Sequence, residues 1–258
     1  MNNDSAQKSF GRLIDIMDEL RAKCPWDRKQ TIESLRHLTI EETYELGDAI
    51  LENDMTDIRK ELGDILLHIV FYAKIASETN DFTITDVIDG LCEKLIFRHP
   101  HVFGNVSVND AEDVKTNWEN LKIKEGSKSI LAGVPKSLPA VVKALRIQDK
   151  VRAAGFDWDK REQVWDKVNE ELDELKTEIE RSDAAKTEAE FGDLLFSVVN
   201  AARLYGVDPE AALERTNKKF IGRFNYLENK TIKAGRQLTS MTLDEMNAIW
   251  EEAKKEDK

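Results

Sequence analysis

The chain has 258 residues, 41% of them apolar, and a formal net charge of −12. This length predicts about two domains. No apolar run approaches the roughly 18 residues of a transmembrane helix, and the polar start lacks a signal peptide's apolar stretch, so we expect no membrane partner. The acidic charge argues against a partner that is a nucleic-acid polymer, because such surfaces depend on lysine and arginine.

Cysteine usage also limits the function. Cys24 and Cys92 lie far apart and outside any C-x-x-C motif, which argues against zinc and disulfide frameworks. We therefore expect a cytoplasmic protein, since that compartment keeps thiols reduced.

Only 12 Gly and 5 Pro, among many Glu, Lys, Leu and Ala, favour an all-α fold. Helical spacing of apolar residues and turn signals such as Asn53-Asp54 define the first half. The stretch from His99 to Asp110 is predicted to be a loop. The helices predicted here cover residues 9–23, 32–52, 57–77 and 84–97.

The second half repeats this plan after a stretch rich in Gly, Pro and Ser at residues 126–139. We interpret that stretch as a linker between an N-terminal domain, residues 1–125, and a C-terminal domain, residues 140–258. A helix around Ile147 ends at Gly155. The helices that follow are predicted at residues 163–181, 185–204, 209–229 and 243–255.

An acidic pattern, E-E-x-x-E followed by E-x-G-D, occurs twice with every position shifted by 129 residues. An internal repeat of this kind can decide the fold. The first copy comprises Glu41, Glu42, Glu45, Glu61, Gly63 and Asp64. The second copy comprises Glu170, Glu171, Glu174, Glu190, Gly192 and Asp193.

Helical geometry predicts that the acids of each copy lie together as a candidate metal site. Residues three apart on a helix point in similar directions. Turns at Asp54 and Asp183 would fold each helix pair into a hairpin, so that four carboxylates converge twice. Such groups suit Mg²⁺, which usually accompanies phosphate chemistry. The apolar neighbours of Asp64 and Asp193 predict a packed helix interface, and we expect the preceding glycines to allow close approach of a helix or ligand.

Two alternative interpretations of the acids compete with a metal site. A single E-x-x-E is most simply a solvated helix face, but the doubled pattern disfavours that interpretation. A di-iron bundle needs E-x-x-H on two helices. His68 follows Asp64 by four residues, whereas the second copy has Ser197 at that position, so the histidine is not repeated.

Basic and aromatic residues follow the second acidic hairpin. Lys219 and Arg223 lie one turn apart and could neutralise a triphosphate, and Lys94 and Arg98 repeat that spacing. Ordinary surface charge is an equally good interpretation of the spacing. Trp250, one turn before Lys254, could stack on a base, although a tryptophan near a chain end more often packs.

The chain resembles the bacterial MazG family of nucleoside triphosphate pyrophosphohydrolases. Besides the acidic repeat, the resemblance rests on C-P-W-D-x-x-Q-T at Cys24–Thr31, F-R-H-P-H-V-F at Phe97–Phe103 and G-F-D-W at Gly155–Trp158. It implies tandem all-α domains of four-helix type, a homodimer, and hydrolysis of NTP or dNTP to monophosphate and diphosphate with Mg²⁺, for which Mn²⁺ could substitute.

The resemblance also implies roles for individual residues. The metal ligands would be Glu171, Glu174, Glu190 and Asp193, with counterparts Glu42, Glu45, Glu61 and Asp64. The nucleotide contacts would be Lys219, Arg223, Trp250 and Lys254. Lys219 and Arg223 would also serve catalysis. To these we add Glu170 and Glu174 as catalytic candidates, because either could orient the attacking water.

We therefore expect a metal-assisted attack of water on the α-phosphorus, with Glu170 or Glu174 orienting the water and the C-terminal domain as the main catalytic domain. The alternative is a non-catalytic nucleotide-sensing helical module, at least for the N-terminal domain. A purely structural bundle is a third possibility, and it predicts no Mg²⁺-dependent thermal shift.

Overall fold

The computed structural model describes residues 3–110, 113, 114, 117, 118, 121 and 129–256, and every regular element in those residues is helical. The predicted all-α class is confirmed. The chain divides into two compact units, Met1–Val114 and Lys115–Lys258. The predicted linker begins outside the described residues, and its bounds remain a prediction.

The first unit contains helices α1 (Asn3–Lys23), α2 (Ile32–Glu52), α3 (Met55–Glu78), α4 (Ile84–Arg98) and α5 (Pro100–Phe103). Helix α1 begins before its predicted start at Ser9, because exposed polar residues extend it without joining the apolar stripe. The loop predicted from His99 onward is wrong in part: α5 forms one turn, with Pro100 at its first position, where a proline lacks no needed hydrogen bond.

The second unit contains α6 (Ala140–Ala153), α7 (Val164–Arg181), α8 (Ala184–Leu204), α9 (Pro209–Lys233) and α10 (Leu243–Glu256). These bounds lie close to the predicted ones, except that α9 continues to Lys233. Asp208 starts α9 by accepting a hydrogen bond from the backbone N–H of Ala211, with Pro209 at the first helical position.

Each unit is organised around one helical hairpin. In the first unit α2 packs along α3, and α1 and α4 also contact α3. Its core joins Met17 of α1, Leu35 of α2, and Val70 and Phe71 of α3. In the second unit α7 packs along α8, α6 contacts α8 and α9, and α10 lies along α9. None of the described helices has the length and apolar character needed to cross a bilayer.

Candidate functional site

The two hairpins turn in the same way, which keeps their acidic residues in the same register. Asn53 and Ser182 end α2 and α7 in the left-handed conformation, with φ of 56° and 58°. The next residue, Asp54 or Asp183, caps the following helix by accepting backbone N–H hydrogen bonds. Because both turns occupy positions 129 residues apart, the repeat in sequence becomes a repeat in geometry.

Three carboxylates of each predicted set meet. One oxygen from each of Glu171, Glu174 and Glu190 lies within 4.8 Å of the others. The first unit brings together Glu42, Glu45 and Glu61 within the same limit. In both clusters two acids come from the first helix of the hairpin and one from the second. We name them the second-unit and first-unit acid clusters.

The fourth acid of each set lies beside its cluster. Asp64 contributes to the raised pKa of Glu42, and Asp193 contributes to that of Glu190. The burial predicted for Asp193 is wrong, because Asp193 is exposed; within the two sets, the buried acids are instead Glu61 and Glu171. The apolar residues flanking Asp193, such as Leu195, are themselves exposed in the described chain.

The close approach predicted at the glycines is also not found within the chain. A Cβ built on Gly63 or Gly192 would meet no atom within 4 Å among the described residues. Each of these glycines therefore leaves open space beside its helix within the described part of the chain.

The electrostatics of the clusters suit a cation. Burial and then the neighbouring carboxylates raise the pKa of Glu42 and of Glu190 above the usual 4.5. In the first unit, Glu61 is only 3% exposed, and its Oε2 atom is buried without a hydrogen-bond partner among the residues that the structure describes. Carboxylate oxygens that repel one another at this separation are the donor set that Mg²⁺ prefers.

Each buried glutamate also has a lysine partner that the motif analysis missed. The Nζ atom of Lys60 lies 2.8 Å from Glu61, and that of Lys167 lies 2.8 Å from Glu171 and 3.0 Å from Glu170. Hydrogen bonds to these carboxylates raise the pKa of both lysines. The four-residue spacing of Lys167 and Glu171, one turn apart on α7, is the sequence signal that indicates this ion pair.

A cavity of about 520 Å³ adjoins the second-unit acid cluster. Glu171 and Asp193 line it together with Lys167, so the acids and the cavity share residues. Its apolar lining is formed by Ile147, Val151, Phe156, Trp158, Val164 and Phe196. The volume is typical of small-molecule sites. The G-F-D-W motif therefore supplies a wall of this cavity as well as the end of α6.

A bidentate ion pair holds the G-F-D-W loop against α8. Arg203 donates to both carboxylate oxygens of Asp157, at 2.5 and 3.0 Å, and its Nε donates to Asn200 Oδ1 at 2.9 Å. Burial alone would raise the pKa of Asp157, but hydrogen bonds from Arg203 and from the Trp158 N–H outweigh it and lower the pKa below 3.8. All three polar side chains line the cavity.

We expect Asp157→Ala to destabilise the second unit by about 1–2 kcal/mol, less than a fully buried pair would cost, because solvent reaches Asp157. The Arg203 side chain, only 8% exposed, would lose its carboxylate partner. The pKa of Asp157 is lower in the folded state than in the unfolded state. The ion pair therefore stabilises the fold fully above the unfolded-state pKa, and this stabilisation is lost as the pH falls through the folded-state pKa. Thermal unfolding of Asp157→Ala should approach that of wild type below about pH 4, with Asp159→Ala as the control; an equal difference at all pH values would contradict this account.

The first unit differs at the positions equivalent to the cavity. Shifted by 129 residues, Asn200 corresponds to Phe71 and Ser197 to His68. Phe71 is 2% exposed and packs into the core with Met17 and Leu35. A smaller cavity of about 240 Å³ in this unit is lined by residues of α1, α3 and α4 and includes none of the acids of its cluster. The two acid clusters therefore have different surroundings.

The basic and aromatic residues predicted to contact nucleotide lie on α9 and α10. Phe220 packs against Trp250, with ring centroids 5.0 Å apart, and the Arg223 guanidinium lies 5.8 Å from the Trp250 ring centroid. Lys219 is exposed on α9, and Lys254 donates to Glu251 at 2.5 Å on α10. Arg223 and Trp250 thus contact each other, and both lie on helices other than those that carry the acids. The nucleotide contacts of Lys219, Arg223, Trp250 and Lys254 remain a prediction.

Comparison with known proteins gives the family. Residues 30–103 and 160–227 match the MazG nucleotide pyrophosphohydrolase domain. The chain is 41% identical over 255 residues to a nucleoside triphosphate pyrophosphohydrolase of Escherichia coli K12, covering 95% of this chain and 97% of the relative. It is 45% identical over 250 residues to a nucleoside triphosphate pyrophosphohydrolase/pyrophosphatase MazG of Thermotoga maritima, covering 95% of each. The chain therefore belongs to the MazG family and carries its domain twice, as the resemblance predicted.

Proposed function

We propose that this protein hydrolyses nucleoside triphosphates, ribo or deoxyribo, to the monophosphate and diphosphate. The observation that carries this proposal is the second-unit acid cluster opening onto a cavity large enough for a small molecule. Glu171 belongs to both, and Asp193, beside the cluster, also lines the cavity, so one ligand can place phosphates at the acids and its remaining atoms in the cavity. The family match and the names of the relatives support the same reaction.

The donor set of the second unit fits Mg²⁺, and Mn²⁺ would be an acceptable substitute because it takes similar oxygen ligands. Glu171, Glu174, Glu190 and Asp193 would hold the ion. When bound, it would supply charge neutralisation on the triphosphate and lower the pKa of a bound water.

The chain's own residues orient the water and the leaving group. Water attacks the α-phosphorus, the bond to the bridging oxygen breaks, and diphosphate leaves. Glu174 is the better candidate to take the water proton, because it reaches the cluster while exposed, whereas Glu170 is paired with Lys167. Lys219 and Arg223, on a helix that contacts α8, are proposed to neutralise the departing diphosphate.

A non-catalytic role is the second candidate, for the first unit only. The observation that favours it is Phe71, which fills the position equivalent to Asn200 in the cavity of the second unit. The first-unit acid cluster retains the features of a cation site. We propose that this unit binds metal, with or without nucleotide, but does not turn substrate over.

The reaction is tested by measuring monophosphate and diphosphate formed from a panel of NTPs and dNTPs, with Mg²⁺ and with a chelator. Equimolar monophosphate and diphosphate, formed only with metal, are expected. Release of single phosphate ions would exclude this reaction, and binding without turnover would favour a nucleotide sensor.

We propose a homodimer that uses the exposed apolar face of α8. Phe191, Leu195 and Val198 follow helical spacing and are 49%, 65% and 45% exposed. Gly192 lies on the same helix with open space beside it, so a helix of another copy can approach closely. An apolar stripe of this kind is typical of a protein interface.

Leu195→Lys should dissociate this dimer, because a charge in the centre of an apolar interface must be desolvated. We expect the mass measured by light scattering at micromolar concentration to fall to that of one chain. The control is Leu243→Lys, since Leu243 is 72% exposed but lies at the start of α10. A wild-type protein of single-chain mass would refute the dimer.

We place the activity in the cytoplasm. Cys24 and Cys92 are both free thiols, which a reducing compartment preserves.

A further inference from the structure

The cavity beside the second-unit acid cluster is lined by a buried polar atom that has no hydrogen-bond partner among the described residues. Gln148, on α6, lines the cavity and is only 3% exposed. Its Nε2 donates to the backbone carbonyl of Phe196 at 2.9 Å, while its Oε1 is buried and receives no hydrogen bond. A buried acceptor of this kind is rare in proteins unless a ligand or water satisfies it.

The orientation of this side chain is fixed by chemistry. A backbone carbonyl can only accept, so the NH₂ group of Gln148 must face Phe196 and its oxygen must point elsewhere. Exchanging the two amide atoms would bring two oxygens together. The atom without a partner, Gln148 Oε1, is therefore an acceptor that an N–H or O–H group of a ligand can satisfy.

A second amide in the cavity is oriented by the same reasoning. Asn200 Oδ1 accepts from Arg203 Nε at 2.9 Å, and an arginine can only donate. The nitrogen of Asn200 is the group left for a ligand. Arg203 is itself held by Asp157, so this arrangement is in place before any ligand binds. The cavity thus combines an acceptor, a donor and aromatic walls from Phe156, Trp158 and Phe196.

We infer that this cavity binds the nucleobase and that Gln148 Oε1 accepts a hydrogen bond from an N–H on the base edge, making Gln148 a specificity-determining residue. The inference rests on the proposed function. A flat heteroaromatic ring stacks on the aromatic walls, and its adjacent donor and acceptor atoms match the amides of Gln148 and Asn200. Glu171 of the cluster and the adjacent Asp193 both line the cavity, and they orient the ligand with its phosphates at the acids and its base in the cavity.

The unsatisfied acceptor Gln148 Oε1 also argues against an apolar side chain as the occupant of the cavity. A leucine or phenylalanine from another chain would leave Gln148 Oε1 unsatisfied after excluding water, which is unfavourable. A base bearing an N–H removes that cost. Discrimination against bases that lack the N–H should consequently be strong, as in sites built to bond a polar substrate group.

The experiment compares substrates with and without an N–H-bearing group at one position of the base edge. The pairs are ATP with purine riboside triphosphate, CTP with 2-pyrimidinone riboside triphosphate, and UTP with N3-methyl-UTP. We expect wild type to prefer the N–H-bearing member of at least one pair by about tenfold in kcat/KM, and Gln148→Met to reduce that ratio to about one. Inorganic tripolyphosphate, which has no base, should inhibit both proteins equally. The matched control is Gln7→Met, because Gln7 is exposed on α1.

Two results would overturn this inference: a wild type with no preference in any pair, or a preference that Gln148→Met retains. The second result is also expected if a side chain of another copy fills the cavity. The same ratios are measured as dissociation constants by calorimetry with the matching monophosphates, so the inference is tested even without turnover. Absence of hydrolysis alone would refute the proposed function, whereas unchanged binding ratios would refute the role of Gln148.

Discussion

Glu174→Gln should lower kcat/KM by about 100-fold or more, since a lost metal ligand removes on the order of 3 kcal/mol of transition-state stabilisation. Glu174 is exposed yet contributes an oxygen to the second-unit acid cluster. The substitution keeps its size and leaves no buried charge unpaired, so the fold should survive. Steady-state kinetics with saturating Mg²⁺ and a thermal melt of the same sample separate loss of activity from loss of structure.

The chain contains its own matched control for this substitution. Glu45 is the residue equivalent to Glu174, is also exposed, and belongs to the first-unit acid cluster. Because the first unit has the core residue Phe71 at the position of the cavity residue Asn200, Glu45→Gln should leave kcat/KM within about threefold of wild type. Equal losses in both variants would mean that both units are catalytic. No loss in either would exclude the acid clusters from catalysis.

Chelation of divalent metal should abolish turnover, and Mg²⁺ should both restore it and raise the melting temperature. A ligand that binds only the folded state at 100 times its dissociation constant stabilises by about 2.7 kcal/mol. Burial and then the neighbouring carboxylates raise the pKa of Glu190, and a bound cation relieves the repulsion among these carboxylates, which gives the stabilisation a structural origin. Mn²⁺ should restore turnover as well.

Salt ions stabilise any strongly acidic protein by screening its charge, and this chain carries a net charge of −12. Such screening must be separated from specific binding of Mg²⁺ at the acid clusters. Sodium chloride at matched ionic strength is the control, since screening acts on any acidic surface. We expect a much larger thermal shift with Mg²⁺ than with sodium, and a reduced shift in Glu174→Gln. Equal shifts with both salts would refute a specific metal site.

Helix capping and helical periodicity, which depend only on nearby residues, explain why the acid clusters could be predicted from the sequence. The two-residue turns at Asn53-Asp54 and Ser182-Asp183 have capping chemistry that is readable in the chain. Once those turns are fixed, helical periodicity determines which carboxylates meet. The bounds of α2, Ile32–Glu52, agree with the prediction for the same reason.

The cavity could not be anticipated because residues distant in sequence form it. Gln148 and Phe196 are 48 residues apart, and only the packing of α6 on α8 brings them together. The exposure of Asp193 was misjudged because apolar neighbours indicate contact with something, which need not be the same chain. Phe71 shows how equivalent positions of a repeat can take opposite roles, core in one unit and cavity in the other.

Hydrolysis of a nucleoside triphosphate in ¹⁸O-labelled water tests the central claim most directly. Attack at the α-phosphorus, with the base in the cavity and the phosphates at the second-unit acid cluster, predicts one ¹⁸O atom in the monophosphate and none in the diphosphate. Label in the diphosphate would place the attack on the β-phosphorus and would contradict this account of the reaction.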